Sequence, residues 1–279
     1  VVAAVSMYIS AKNNTQSVLL CPTEVLAEQH FKNFSVWFKN SNIKIELLTG
    51  KMPVSKRRGI YQDLEDGVID ILIGTHAVFQ DKVKMKNLGL VVVDEQQRFG
   101  VKQRFDLVKK SSDQIMPHQL FMTATPIPRT LAMTIFADLE TSKIDELPPG
   151  RKPVETLVYS DKKKDEIVKR LETVCKSGNQ VFWLCTMIEE SENLDVQAAD
   201  EAKEWIKENT NGLNIGLVHS KLSKDQRDKA IENFRSGKTD VLVCTTVIEV
   251  GMDVPNASLM VIENAERLGL SQLHQLRGR

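Results

Sequence analysis

Two adjacent carboxylates, Asp94 and Glu95, directly follow an apolar, β-branched run that ends at Val93. Such a run is typical of a strand that is buried on both faces of a parallel sheet. The acids would then lie at the carboxyl edge of the sheet, where α/β folds bind ligands. Asp94 is suited to hold a magnesium ion, directly or through water, and Glu95 to orient and deprotonate a water molecule. The alternative is that the two acids simply begin a loop, and this stretch by itself does not decide between them.

Strand-like and helix-like segments alternate along the whole chain around these acids. Strands are predicted over 17–21, 43–48, 68–73, 88–93, 119–122, 143–145, 154–159, 180–185, 214–218, 240–244 and 259–262. Helices are predicted over 23–38, 55–64, a stretch ending near 136, 163–175, 196–208 and 223–234, and the first residues also resemble part of a helix. Repeated β-α-β alternation predicts an α/β fold, with mainly parallel sheets and helices on both faces.

A stretch with three prolines and a glycine, residues 148–153, interrupts this alternation. Such a composition cannot continue a helix or a central strand. We therefore predict a linker over 148–153, with one domain over 1–147 and a second over 154–279. Two such domains would form a cleft between them.

Composition excludes several classes of protein. The 279 residues are 42% hydrophobic, and 37 basic residues balance 37 acidic ones, which argues against bulk electrostatic binding of nucleic acid but allows a local basic track. The four cysteines form no C-x-x-C pair, so they indicate buried thiols in a reducing compartment instead of a disulfide or zinc framework. No apolar run approaches membrane-spanning length. A cytoplasmic protein with no membrane partner is the expectation.

Three further stretches carry hydroxyls or arginines that could bind phosphate: 123–130, 245–255 and 275–279. Each has an ordinary structural alternative, respectively a proline turn with a helix cap, a cap followed by a turn, and solvated arginines near a chain end. A fourth stretch, 236–239, contains the tail of a phosphate loop, but Glu232 stands where the loop needs its first glycine. We predict that Gly237 is instead a glycine that ends a helix, so the chain contains no phosphate loop.

In their joint order these stretches resemble the motif series of superfamily 2 nucleic-acid helicases, and most specifically the RecG family of bacterial ATP-dependent DNA helicases. The resemblance covers nearly the whole chain and rests on 94–100, 123–130, 145–151 and 262–279. It implies two RecA-like domains, over 1–147 and 154–279. It also implies a motor that uses ATP and Mg²⁺ for translocation on duplex DNA, fork regression and branch migration in recombination and repair.

The resemblance also implies a role for each matching residue. Gln97 stands where the family usually has histidine, and we expect retuned coupling there instead of loss. The implied catalytic residues are Asp94 (also the metal ligand), Glu95, Gln97 and Arg279, which matches an arginine finger, and the implied nucleotide-binding residues are Gly251, Asp253 and Gln275. The implied nucleic-acid-binding residues are Pro22, Thr23, Glu24, Thr49, Gly50, Gly74, Thr75, His76, Thr123, Thr125, Thr245 and Thr246.

The implied partner is branched or forked DNA, bound by a monomeric motor, and contact with a single-strand-binding protein is a further partner to test. We expect the phosphate loop to lie before Val1 and the second domain to continue beyond Arg279, so that this fragment alone is inactive. Three alternatives stay open: a translocase like the transcription-repair coupling factor, an RNA helicase, and a non-catalytic nucleic-acid-binding remnant. The residues before Val1 would decide the last of these.

Overall fold

The computed structural model describes residues 1–96, 99, 116–124, 140–146, 153–186, 192–245, 254 and 256–277. The chain divides into two compact units, Val1–Pro126 and Ile127–Arg279. The predicted linker lies outside the described residues except for Pro153. Its role as the boundary between two domains therefore stays a prediction.

The first unit is a five-stranded parallel sheet with helices on both faces. Its helices are α1 (Val2–Lys12), α2 (Glu24–Trp37) and α3 (Val54–Glu65), and a 3₁₀ turn (His76–Phe79) follows the third strand. Its strands are β1 (Gln16–Leu20), β2 (Ile45–Leu48), β3 (Ile71–Gly74), β4 (Leu88–Val93) and β5 (His118–Phe121). The strand order is β2-β3-β1-β4-β5, which places β1 at the centre and β4 beside it.

Successive residues of β1 face opposite sides of the sheet, as the pleat requires. Leu20 packs with the apolar side chains of α3, whereas Leu19 and Cys21 pack with those of α1 and α2. Both faces are therefore covered, which explains why β4 and residues 18–20 of β1 are continuous apolar runs instead of alternating ones.

The second unit repeats this plan with four parallel strands. Its helices are α4 (Lys164–Lys176), α5 (Glu192–Asn209), α6 (Lys224–Arg235) and α7 (Leu270–Arg277), and its strands are β6 (Gln180–Cys185), β7 (Ile215–Val218), β8 (Val241–Thr245) and β9 (Ala257–Glu263). The order β7-β8-β6-β9 matches the first four positions of the other sheet. The prediction of an α/β fold with two parallel sheets and helices on both faces is confirmed.

A glutamine at the start of the central strand stabilises each sheet in the same way. The side-chain amide of Gln16 donates to the carbonyl of Leu64 at 3.0 Å, and that of Gln180 donates to the carbonyl of Phe234 at 2.6 Å. Both glutamines are buried. Each also donates to a carbonyl just before a strand that pairs with its own, β3 for Gln16 and β8 for Gln180. The amide thus joins the end of a helix to the sheet at equivalent positions in the two units.

Two predicted strands are absent from the described residues, and both predictions are wrong. Residues 143–145 and 154–159 pair with no strand, and their side chains are exposed, with Val158 94% exposed. The carbonyl of Val154 accepts a hydrogen bond from the guanidinium of Arg277 instead of from a neighbouring strand. A strand-like sequence pattern therefore did not suffice to form a strand in these two segments.

Smaller differences concern element ends. The third strand begins at Ile71 and not at residue 68, because Gly67 adopts a φ of +76° that turns the chain after α3. Gly237 has a φ of +75° directly after α6, which confirms its predicted place at a helix end. All four cysteines are free, as predicted. The helix predicted to end near 136 lies outside the described residues.

Candidate functional site: the carboxyl edges of the two sheets

Loops at the carboxyl edge of the first sheet carry most of the predicted site residues. Because all five strands are parallel, these loops share one edge. After β1 come Pro22 and Thr23, and then Glu24 as the first residue of α2. After β2 come Thr49 and Gly50, and after β3 come Thr75 and then His76 as the first residue of the 3₁₀ turn. After β4 come Asp94 and Glu95, and after β5 comes Thr123. This convergence is the arrangement by which α/β folds build ligand sites.

Asp94 is held at the edge by contacts on both sides of its carboxylate. Its backbone N–H donates to the carbonyl of Leu20 at 3.0 Å, which extends the pairing of β4 with β1 by one residue. Oδ1 accepts the backbone N–H of Glu95 at 3.0 Å, and Oδ2 lies 3.1 Å from Nε2 of His30. The side chain is 21% exposed, so the carboxylate is fixed but still accessible to a cation.

Glu95 adopts a left-handed backbone conformation with a φ of +50°. For a residue other than glycine this conformation costs on the order of 1–3 kcal/mol and occurs often at active sites. The next residue, Gln96, donates its backbone N–H to the carbonyl of Met122 at 3.1 Å. The acid pair is therefore joined to the end of β5, directly before Thr123.

Thr23 is the N-cap of α2. Its φ is −133°, and its Oγ1 accepts the backbone N–H of Leu26 at 3.4 Å. Free N–H groups and the helix dipole make such a terminus favourable for a phosphate. Glu24 would oppose an anion there, but its carboxylate forms an ion pair with the ammonium of Lys51 at 2.9 Å. That pair also joins the loop after β1 to the loop after β2.

Gly74 allows three loops to approach one another closely. A Cβ at this position would lie 2.5 Å from the carbonyl oxygen of Leu48 and 2.6 Å from Cγ2 of Val78. The carbonyl of Gly74 accepts the N–H of Cys21 at 2.9 Å, and Thr75 donates its N–H to Leu48 at 3.3 Å. The backbone itself therefore holds the loops after β1, β2 and β3 together.

His76 is exposed and packs against the loop after β4. Its ring meets Phe99 edge-on with centroids 5.5 Å apart, and Phe79 at 6.0 Å. Phe99 is buried and follows the acid pair by a few residues. Aromatic packing thus connects the β3 loop, a predicted DNA contact, with Phe99 in the segment that follows the acid pair.

Cys21 directly precedes Pro22, the first of the predicted nucleic-acid-binding residues, but its thiol is chemically inert. Burial, and then the nearby charge of Asp94, raise the pKa of this thiol well above its usual range. A neutral buried thiol is a poor nucleophile. Cys21 therefore serves as a small packing group at the edge of the sheet.

In the second unit Thr245 ends β8 and is buried, and its Oγ1 has no hydrogen-bond partner among the described residues. Gln275 lies on α7, beside Leu276, which packs into the core. The remaining predicted site residues lie outside the described part of the chain: Gln97, Thr125, Thr246, Gly251, Asp253 and Arg279.

Sequence reasoning missed two residues of this edge, Lys51 and His30. Lys51 directly follows Thr49 and Gly50, so a basic residue in the same loop was the available signal. His30 lies seven residues after Thr23, which is two helical turns and hence the same face of α2. Its contact with Asp94 depends on how α2 packs on the sheet, and no local pattern indicates that.

Two further observations limit the chemistry of the described residues. They contain no group of three or more His, Cys, Asp or Glu side chains arranged to hold a metal ion. Within the same ranges no helix combines the length and apolar character that crossing a membrane requires. A metal bound by Asp94 would therefore need ligands from elsewhere, such as phosphates and water.

Two family models match the chain. Residues 1–134 match the DEAD/DEAH box helicase family, and residues 162–279 match the helicase conserved C-terminal domain family. The two matches fall on the two parallel sheets described above.

Curated relatives match over the full chain. The ATP-dependent DNA helicase RecG of Haemophilus influenzae is 51% identical, that of Escherichia coli K12 is 50% identical, and that of Aquifex aeolicus is 47% identical. Each match covers 100% of this chain but only 40%, 40% and 35% of the respective relative. The chain thus spans about two fifths of the length of these relatives.

Solved structures of helicases also match the fold of this chain. RecG bound to a three-way DNA junction is 39% identical with a TM-score of 0.73, over 100% of this chain and 36% of that one. The Mycobacterium smegmatis helicase Lhr, bound to single-stranded DNA and AMP-PNP, is 17% identical with a TM-score of 0.59, over 93% of this chain and 38% of that one, and shows the shared fold alone. The chain therefore has the RecA-like helicase fold, and over its full length its sequence is similar to that of RecG DNA helicases.

Proposed function

We propose that the protein containing this chain is an ATP-dependent DNA helicase. It couples ATP hydrolysis to translocation on duplex DNA, and so regresses forks and migrates branches in recombination and repair. The observation that carries the proposal is that the acid pair lies at the same sheet edge as three loops that are joined by backbone hydrogen bonds. The chain with this edge is about 50% identical to RecG relatives. Those relatives do not favour the coupling-factor alternative or the non-catalytic one.

The residues at this edge fit a magnesium nucleotide. Asp94 offers a fixed, accessible carboxylate, and Glu95 follows it in a left-handed backbone conformation. When bound, Mg²⁺ neutralises charge on the phosphates. Asp94 would hold the ion together with phosphate and water oxygens, and Glu95 would orient the attacking water. Gln97, Gly251, Asp253, Gln275 and Arg279 keep their implied roles within this proposal.

The same edge offers positions for the backbone of one DNA strand. The α2 terminus at Thr23, the exposed Gly50 next to the buried Thr49, and the exposed side chain of His76 lie on loops that the backbone joins to one another. Phosphate contacts of this kind position a protein on DNA without reading its sequence. The solved RecG relative was bound to a three-way junction. We infer a monomeric, cytoplasmic motor on branched DNA, with contact to a single-strand-binding protein as a further partner.

The test is phosphate release by the full-length protein, measured without DNA and with a model fork, a linear duplex or RNA. We expect the strongest stimulation with the fork, together with regression of that fork in a gel assay. Stimulation by RNA alone would indicate an RNA helicase. Nucleotide binding without hydrolysis on any of these substrates would contradict the proposal.

A further inference from the structure

The carboxylate of Asp94 is fixed at both oxygens, and one of the two partners comes from a different element. Glu95 donates its N–H to Oδ1 within the loop, whereas His30 of α2 approaches Oδ2 at 3.1 Å. A carboxylate only accepts hydrogen bonds, so Nε2 is the donor in this contact. Both side chains are largely covered, with 26% and 21% exposure, so water competes only partly for the bond.

The imidazole of His30 is itself held in place by the core. Phe34 lies one turn further along α2 and meets the imidazole edge-on, with centroids 6.1 Å apart and planes at 78°. Phe34 is 2% exposed and belongs to the core between α2 and the sheet. The ring plane of His30, and hence the direction of Nε2, is therefore set by packing.

The other end of the same helix is the predicted phosphate contact. Thr23 caps α2, and seven residues separate it from His30, which at 1.5 Å per residue is about 10 Å along the axis. An uninterrupted helix moves over this distance as one piece. A displacement of its N-terminus is therefore transmitted to Nε2 of His30.

We propose that His30 is a positioning residue that fixes the Asp94 carboxylate for magnesium and couples it to DNA through α2. The inference rests on the proposed function and deepens it. A phosphate docked at Thr23 sets the position of α2, α2 sets His30, and His30 sets the rotamer of Asp94. DNA bound at one end of the helix thereby changes how well the acid at the other end is placed to hold the metal.

Three substitutions in the full-length protein separate this role from packing. His30→Leu removes the donor and keeps apolar bulk. His30→Gln returns an amide N–H at about the distance of Nε2, whereas His30→Asn carries the same amide on a side chain too short to reach Asp94. His118→Leu is the matched control, because His118 is an exposed histidine at the amino end of β5, away from the carboxyl edge.

The first measurement does not depend on turnover: Mg²⁺ is titrated against binding of a fluorescent, non-hydrolysable ATP analogue. We expect His30→Leu and His30→Asn to raise the Mg²⁺ midpoint about tenfold, the effect of losing one hydrogen bond to a charged group. His30→Gln should recover most of it, and His118→Leu should leave it unchanged. The second measurement is the ratio of DNA-stimulated to basal phosphate release, which should fall severalfold in the same two variants.

An unchanged Mg²⁺ midpoint in both His30→Leu and His30→Asn would overturn the inference. Equal losses in His30→Gln and His30→Asn would also overturn it, because they would indicate a packing role only. Failure of the proposed function looks different, since the wild-type protein would then show no DNA stimulation. The Mg²⁺ titration would still test His30 in that case.

Discussion

Single residues at the sheet edge show how backbone conformation separates a site from an ordinary loop. Asp94 and Glu95 could have been the start of any turn, but Glu95 has a φ of +50° and its N–H is bound by the preceding carboxylate. Unfavourable conformations of this kind persist where surrounding contacts impose them. The backbone of the acid pair is therefore held in a defined conformation, and the Asp94 carboxylate is fixed by contacts with Glu95 and His30.

Glu95→Gln in the full-length protein should keep nucleotide affinity and lose hydrolysis. The amide preserves the shape of the side chain but cannot accept a proton from water, and a general base contributes roughly 10²–10⁴-fold to rate. Fluorescent ATP binding and phosphate release would be compared with those of Glu65→Gln, which changes an exposed acid at the end of α3. Wild-type turnover in Glu95→Gln would remove this residue from the mechanism.

Gly74→Ala should destabilise the chain, since its methyl group would lie 2.5 Å from the carbonyl oxygen of Leu48. Forcing an extra carbon into a packed site costs roughly 1–3 kcal/mol. The control is Gly59→Ala in α3, where a Cβ meets no atom within 4 Å of it among the described residues. That change should stabilise by about 0.5–1 kcal/mol, because alanine favours a helix. The prediction would be contradicted if Gly74→Ala and Gly59→Ala shifted the urea unfolding midpoint in the same direction.

At the scale of elements, helix caps distinguish structural from binding termini. Ser223 caps α6 with a full capping box to Gln226, in which each side chain accepts a backbone N–H. Thr23 caps α2 with one long bond of 3.4 Å, and the loops after β2 and β3 crowd around that end. The α2 terminus is thus the less completely capped of the two, which suits a site that receives a phosphate.

Ser223→Ala and Thr23→Ala should therefore differ in their effects. Ser223→Ala should lower the free energy of unfolding by about 1 kcal/mol and leave DNA affinity unchanged. Thr23→Ala should cost less stability but weaken DNA binding severalfold in the full-length protein. Thermal unfolding and fluorescence anisotropy with a labelled fork would measure the two effects. Equal DNA affinities in both variants would exclude Thr23 as a contact.

The sequence predicted the limits of a strand correctly where its apolar pattern matched the burial of that strand in the fold. The limits of β4 and β6 match the predicted ones because both strands are buried on both faces and end at polar residues. The strand predicted over residues 154–159 is absent, because a local sequence pattern does not show whether a segment pairs with a neighbouring strand. The edge carrying Asp94 and the loops was foreseen from strand ends, whereas His30 was missed, since its contact joins residues 64 positions apart.

For the whole molecule, the predicted linker can be tested directly by limited proteolysis. Each unit has its own sheet with two apolar clusters, so each is expected to resist cleavage independently. We expect the first cut within 148–153, yielding fragments near residues 1–150 and 151–279, identified by mass spectrometry. A single resistant core that spans 148–153 would show that the boundary lies elsewhere.

The central place of β1 also affects how the protein is made on the ribosome. This strand is synthesised before both of its partners, β3 and β4, and it is completely buried only when they are in place. Translation from Leu20 to Val93 at about 5–20 residues per second takes on the order of 4–15 s. During that time the run Val18–Cys21 is an unpaired apolar segment. In the second half, β6 likewise stays unpaired until β8 and β9 have been synthesised. Each half of the nascent chain therefore offers one predictable binding segment to a ribosome-associated chaperone, and in each half it is the strand that later forms the middle of the sheet.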